Sequence, residues 1–395
     1  MNWLESTQLR NWQFTADQLR RMRENNHQRS LDALQQARAR SSSAASLETM
    51  DSQASGASAA PAPEPLALEE ELALLKYYGS RLQHVSRELR LPRRVLGTAL
   101  AYLQRAYLAF SCMEQDPQQL LLTCLYLACK IEEHYISAAE LGRLTGVPAD
   151  LILRTELVAL QGLKFDLIVH SPYKALEGFF EDIKEAAAEA GSSEAAAAAA
   201  GLDPGMAALD ELQLGKARAV AYSATDALLL SDAPLLHAPG RLALAALRSG
   251  FNKLGIKLQK YLERVARRSS GSADWQAGLA QLQAALSELD RLGAEGARSV
   301  EQEEMAAIDR KLKACRAALG GVGKEAAAAK AKAKAEKAAR KAAKAAEQRS
   351  AAEASLGILP AAPAAGAAEA AAAAADGAAP GAQQPPTKRQ RQGEV

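Results

Sequence analysis

"LLLTCLYLACKIEEHYIS", residues 120–137, holds the reading on which the fold turns. It begins as a helix that is apolar nearly all the way round, the pattern of a helix enclosed by others. Lys130 then stands directly in the apolar path, followed by Glu132 and Glu133. A lysine one turn from a helix end can lay its stem along apolar neighbours and keep its ammonium in water. A second greasy segment, "ADLILRTELVALQGLKF" (149–165), has Ile152, Leu153, Leu157, Val158, Leu160 and Leu163, yet Glu156 interrupts it. Two opposite charges, each on an otherwise buried helix, fit a pair at the lip of a helical core. On spacing alone, a snorkelling Lys130 with an independent, solvent-facing Glu156 stays open.

Outward from this stretch the chain reads as successive helices with breakers between them. "LALEEELALLKYYGSRLQHVSREL" is amphipathic, and Pro92 breaks it from "RRVLGTALAYLQRAYLAF". Asp116-Pro117 caps and opens the central helix, with Gln119 at the capping-box position, and Ser137 with Glu140 repeats that logic for a short fourth helix. With 149–165 these make five helices over 66–168. A second set occupies 169–295: a helix from Ser171-Pro172 to about Ala188, an Ala-rich insertion at 190–209, then "ELQLGKARAVAYSATDALLL", "GRLALAALRSGF", "KLGIKLQKYLERVARR" and "WQAGLAQLQAALSELDRL". Nothing of convincing length has a β period, so the expected class is all-α, with two consecutive five-helix repeats.

Flanking elements complete the plan. Within 1–40, a helix over 15–38 has Thr15 and Gln18 as a capping box and Phe14 with Leu19 as a hydrophobic staple. Residues 41–65 are a Ser/Ala/Pro linker, 296–320 hold a C-terminal helix, and 321–395 are an Ala/Lys tract and tail expected to be disordered.

Composition narrows the function. Hydrophobic residues make up 48% but aromatics only 5%, because alanine runs inflate the apolar total. A formal net charge of +2 supplies no global field to recruit nucleic acid or an anionic membrane. The N-terminus "MNWLESTQLRNWQF" has no leader pattern and no long bulky apolar run occurs, so an intracellular, soluble chain without membrane attachment is expected. Cys112, Cys124, Cys129 and Cys315 form no C-x-x-C pair and read as buried thiols. The five histidines lack metal-ligand spacing, no G-x-S-x-G elbow is present, and "GGVGKE" (320–325) has Ala318 and Glu325 where a phosphate loop needs Gly and Ser/Thr. No catalytic residue, metal or cofactor is expected.

"LACKIEEHYIS", "RTELVALQGLKFDL" and the five-helix spacing resemble the cyclin box, in which an A-x-K-[FVI]-[ED]-E element ends the third helix. A glutamate nine residues before F-[DNH]-L marks its fifth helix, and Glu156 stands nine before Phe165. Within the cyclins, "RNWQFTADQLRRMREN", "LLKYYGSRL", "CMEQDPQQLLLTC", "LIVHSPYKALEGFFEDI" and "AYSATDALLLSDAP" resemble the cyclin H group. The likeness covers 6–36 and 68–320 with gaps. "LEEELALL" lacks the arginine of the substrate-docking patch of cell-cycle cyclins, and the linker, the alanine insertion and the tail depart from the family.

The resemblance implies a regulatory subunit and not an enzyme. It would bind and activate a cyclin-dependent kinase catalytic subunit within CDK-activating kinase and TFIIH, alongside a RING-finger assembly subunit, in the nucleus. It also implies that Lys130 and Glu156 form the polar centre of a kinase-binding face, with Ile131, Leu160 and Phe165 as apolar contacts. Trp12 and Phe14 would dock the N-terminal helix. The terminal "PPTKRQR", with Lys388, Arg389 and Arg391, is a candidate nuclear import signal. The tract from Lys324 to Arg349 has nine Lys/Arg against three Glu but no aromatic for base stacking, so no specific nucleic-acid binding is expected. Another transcriptional cyclin of the cyclin C type is the alternative within the family. A TFIIB-like nucleic-acid-binding protein of similar architecture is the alternative outside it, although it should show basic faces where "LEEELALL", "IEEH" and "FFEDI" are acidic.

Overall fold

The computed structural model describes residues 3–48, 64–191, 193–270, 274–299 and 303–319. Among them there is no strand. A short 3-10 turn (Trp3–Glu5) leads into α1 (Thr7–Trp12), capped by Ser6, whose hydroxyl accepts from Leu9 N at 3.2 Å. The box read at Thr15 is present: Thr15 N donates to Gln18 Oε1 (2.9 Å) and Gln18 N donates to Thr15 Oγ1 (3.3 Å). It starts α2 (Ala16–Glu48), which continues past residue 38 into the stretch read as linker. Once a helix is nucleated, each added Ser or Ala costs little, and Ala favours it.

The first repeat has five helices, α3 (Leu68–Glu88), α4 (Arg93–Ala106), α5 (Pro117–Ile131), α6 (Ala138–Thr145) and α7 (Ala149–Gly162). Helices α3, α4 and α7 pack around α5, burying Leu120, Leu121, Leu122, Cys124, Leu125, Leu127, Ala128 and Cys129. Asp116 caps it by accepting from Gln118 N (2.9 Å) and not through a box with Gln119, and its other oxygen pairs with Arg316. Ser137 caps α6 through Glu140 N (3.1 Å), without the return bond from the glutamate that a full box requires.

The second repeat comprises α8 (Pro172–Ala190), α9 (Glu194–Ala199), α10 (Glu211–Leu228), α11 (Ala233–Leu236), α12 (Pro239–Asn252), α13 (Gln259–Ser270) and α14 (Trp275–Ala297). Its central helix is α12, which approaches α10 so closely that a Cβ on Gly250 would lie 2.4 Å from Ala217 O. The stretch 190–209, read as an insertion, contributes to this core. Ala197, Leu202 and Met206 are buried, and Asp203 caps α13 by accepting from Lys260 N and Tyr261 N, both at 3.0 Å. Alanine-rich composition hid three informative side chains. Helix α13 begins at Gln259, later than the expected start, because Gly255 (φ 77°) turns the chain left-handed after α12.

A last helix, α15 (303–319), packs on the first repeat through Met305, Ile308, Leu312 and Cys315. The N-terminal segment reaches both repeats. Trp12 and Leu19 are buried with Leu108 and Leu235, and Phe14 and Met22 pack against this cluster. Arg23 on α2 makes a two-pronged ion pair with Asp232 (2.7 and 2.6 Å).

Candidate functional site

Helix α5 is buried from Leu120 to Cys129 apart from half-buried Tyr126, and Lys130 emerges in its last turn, one turn after Tyr126. The ammonium lies 5.0 Å from the Tyr126 ring centroid and donates to Glu156 Oε1 on α7. The two residues are thus brought together, as the pairing reading expected. Side-chain exposures of 44% for Lys130 and 22% for Glu156 place the pair at the surface and not within the core. The following Glu132 turns back to α4, accepting from Thr98 Oγ1 at 2.6 Å and facing Arg94 at 3.8 Å.

Neither helix is followed by a left-handed glycine. Glu133 follows α5 with φ 54°, and Lys164 and Phe165 follow α7 with φ 52° and 59°. Left-handed backbone at non-glycine residues is uncommon and costly. At α7 it closes a bond from Phe165 N to Leu160 O (3.0 Å) and leaves the Phe165 ring 61% exposed. Ile131 is exposed too, whereas Leu160 is half-buried against the first core and offers only part of its surface.

Three further exposed apolar side chains that sequence reasoning did not assign to the site lie on α7 or just beyond α5. Leu153 and Leu157 on α7 are exposed, and Tyr135 beyond α5 is 85% exposed. On α7, Leu153, Leu157 and Leu160 follow i, i+4, i+7 spacing, while Ile152, Ala159 and Leu163 face inward. The available signal was that α7 is apolar on two faces, more than one core can cover. Scattered exposed leucines are ordinary, but Leu153 and Leu157 lie on α7, which packs against the α5 that carries Lys130, with Ile131 and Phe165 exposed at the two helix ends.

Trp12 lies away from that pair. Its Nε1 donates to Asp166 Oδ2 (3.1 Å), Asn11 Nδ2 donates to the same oxygen (2.7 Å), and Arg105 and Lys164 lie over its ring at 5.1 and 5.4 Å. Phe14 N donates to Leu235 O at 2.9 Å. Trp12 and Phe14 therefore hold the N-terminal segment on the body, while Asp166 couples that segment to the turn bearing Phe165. Lys388, Arg389 and Arg391 lie outside the described residues.

Among the described residues no group of His, Cys, Asp and Glu could hold a metal ion, and no helix is long and apolar enough to cross a membrane. The cysteines are buried, and burial pushes the Cys129 thiol up to about 11. Such thiols are poor nucleophiles.

Comparison with known proteins assigns this architecture. Residues 72–168 match the cyclin N-terminal domain and 171–294 match a cyclin C-terminal domain. Cyclin-H1-1 of Arabidopsis thaliana is 30% identical over 256 residues, covering 64% of this chain and 69% of that protein. A chain of the CAK complex from Chaetomium thermophilum bound to ATP-gamma-S superposes with a TM-score of 0.58 at 22% identity, over 80% of this chain and 88% of that one. A chain of the yeast TFIIK (Kin28/Ccl1/Tfb3) complex superposes with a TM-score of 0.53 at 25% identity, over 74% and 100%. With both domain matches in tandem on a chain whose described residues form helices and no strand, and with a cyclin H relative matched over 69% of its length, the protein belongs to the cyclin family, among the cyclin H proteins.

Proposed function

We propose that this chain is the regulatory subunit of a CDK-activating kinase, and that it grips the kinase through the Lys130–Glu156 pair and the apolar side chains around it. The observation that carries the reading is the convergence of the pair, from positions 26 residues apart, amid exposed Ile131, Leu153, Leu157 and Phe165. A kinase is active when its strand lysine pairs with a glutamate on its mobile C-helix. An apolar face with a fixed charged centre can pack against that helix and hold it inward, while the lysine and glutamate hydrogen-bond to the adjoining backbone. The cyclin performs no chemistry. It shifts the kinase towards the active arrangement by its differential affinity for that state.

The relatives named above extend the reading. The yeast TFIIK complex is named for three proteins, Kin28, Ccl1 and Tfb3, which fits a kinase, a cyclin and an assembly subunit, here taken to be a RING-finger protein within TFIIH. The substrates are then CDK activation loops and the RNA polymerase II C-terminal repeats, and the site of action is the nucleus. Specific nucleic-acid recognition has no place in the scheme. Affinity purification of the tagged chain, identification of the bound proteins, and kinase assays on an activation-loop substrate and a C-terminal repeat peptide test it together. Co-purification of a kinase active on both substrates is expected. Recovery without any kinase refutes the reading.

A further inference from the structure

Between the two repeats lies a cleft of about 1280 Å³ that none of Lys130, Glu156, Leu160 and Phe165 lines. Three helices begin at it: α4 at Pro92, α8 at Ser171 and α12 at Ala238. None has a side-chain cap bond, and none carries an acidic residue in its first turn. Helix N-termini favour acids in the first turn, because the unpaired N–H groups and the dipole are positive there. These three carry Arg93 and Arg94, Lys174, and Arg241 instead.

Four cations and two carboxylates, Glu132 and Glu177, line the cleft, and Glu177 is taken up by Tyr222 and Arg218, so the cations are only partly neutralised. Arg93 faces Asp226 (3.5 Å) and lies 4.0 Å from the Tyr222 ring centroid, and Arg94 reaches Glu132 only at 3.8 Å. Lys174 and Arg241 are exposed and make no ion pair among the described residues. In the connection between repeats, His170 Nε2 and Ser171 Oγ are buried without a hydrogen-bond partner, and both residues line the cleft. Phe179, Leu244, Val265 and Leu282 supply an apolar floor, with Ile168 exposed at its edge.

We propose that this cleft docks an acidic, amphipathic segment of a partner protein, with its carboxylates at Lys174, Arg241 and the bare helix N-termini and its apolar side chains on the floor. Charge complementarity sets this choice of occupant. It excludes the chain's own tract 324–349, whose nine Lys/Arg against three Glu would be repelled. The proposal does not depend on the kinase-face reading, since the two surfaces share no proposed contact residue.

The test selects peptides from a random display library on the full-length chain and measures their affinity for Lys174→Glu/Arg241→Glu. Peptides rich in Asp and Glu beside Leu and Phe are expected. Their affinity should fall at least tenfold on the charge-reversed chain and return when the peptide acids are replaced by lysine. Lys174→Arg/Arg241→Lys should retain binding, and Lys174→Gln/Arg241→Gln should weaken it with an unchanged melting temperature. Peptides without acidic enrichment, affinities equal on wild-type and reversed chains, or failure to select any cleft-dependent peptide would each overturn the proposal. So would sedimentation showing that a second copy of the chain covers the cleft.

Discussion

Lys130→Ala should leave the isolated protein close to its original stability and sharply weaken its association with the kinase. In the free chain the pair is 44% and 22% exposed, a setting in which an ion pair contributes about 0–1 kcal/mol. The contact with Tyr126 adds about 0.5–1 kcal/mol. The sum, at most about 2 kcal/mol, corresponds to a fall in melting temperature of less than ~8 °C for a domain of this size. Under the kinase the same pair would lose its water, and removing one partner strands the other. That costs about 2–5 kcal/mol, or about thirtyfold to several-thousandfold in Kd. Glu156→Ala should behave alike, and the double variant should lose less than the sum of the two, because no charge is left stranded. Calorimetric titration against purified kinase, with a thermal melt of each variant alone, separates the two effects. Kinase affinity within threefold of wild type for both single variants, or a melting temperature reduced by more than ~15 °C, would show that the pair serves the fold and not the partner.

Glu71 is buried and accepts from Ser111 Oγ (2.7 Å) and Cys112 N (3.1 Å), with His27 Nδ1 at 2.6 Å, so it joins α2, α3 and the loop after α4. Glu71→Ala should destabilise by about 3–5 kcal/mol, read as a lower urea midpoint, with Glu71→Gln intermediate. Gly250→Ala should cost about 1–3 kcal/mol or more by forcing α12 off Ala217 O, whereas Gly178→Ala on open α8 should stabilise by up to about 1 kcal/mol; equal melting temperatures would contradict the close approach. Burial pushes the Asp182 carboxyl up, but bonds donated by Tyr261 (2.9 Å), Arg264 (3.1 Å) and Arg268 (2.8 Å) outweigh it and hold it below its ordinary value. Its stabilisation is therefore complete above the unfolded pKa of about 3.9 and lost as pH falls through the lower folded value. Asp182→Asn should flatten the loss of stability between about pH 5 and pH 2, and an unchanged acid limb would refute this.

The local signals in the chain were reliable where one or two residues decide the outcome. The Thr15–Gln18 box formed because its parts lie three residues apart, and Pro117 and Pro172 open helices because proline suits a first turn. Two of the predictions that missed depend on distant partners. The box at Gln119 gave way where Asp116 was claimed by Arg316, 200 residues away. Alanine runs hid Leu202, Asp203 and Met206, whose value comes from α13, about sixty residues on.

Periodicity and spacing in the sequence were sufficient for an all-helical chain in two repeats, and for a lysine and a glutamate each set in an apolar helix. Those properties are local, because a helix's apolar stripe and its caps are written within a few turns. Only the tertiary structure decided that the two charges meet, that Leu153, Leu157 and Phe165 find no cover among the described residues, and that three bare helix N-termini face one cleft. Residues report how greasy a helix is. Which of its faces the rest of the chain covers depends on how the helices pack together.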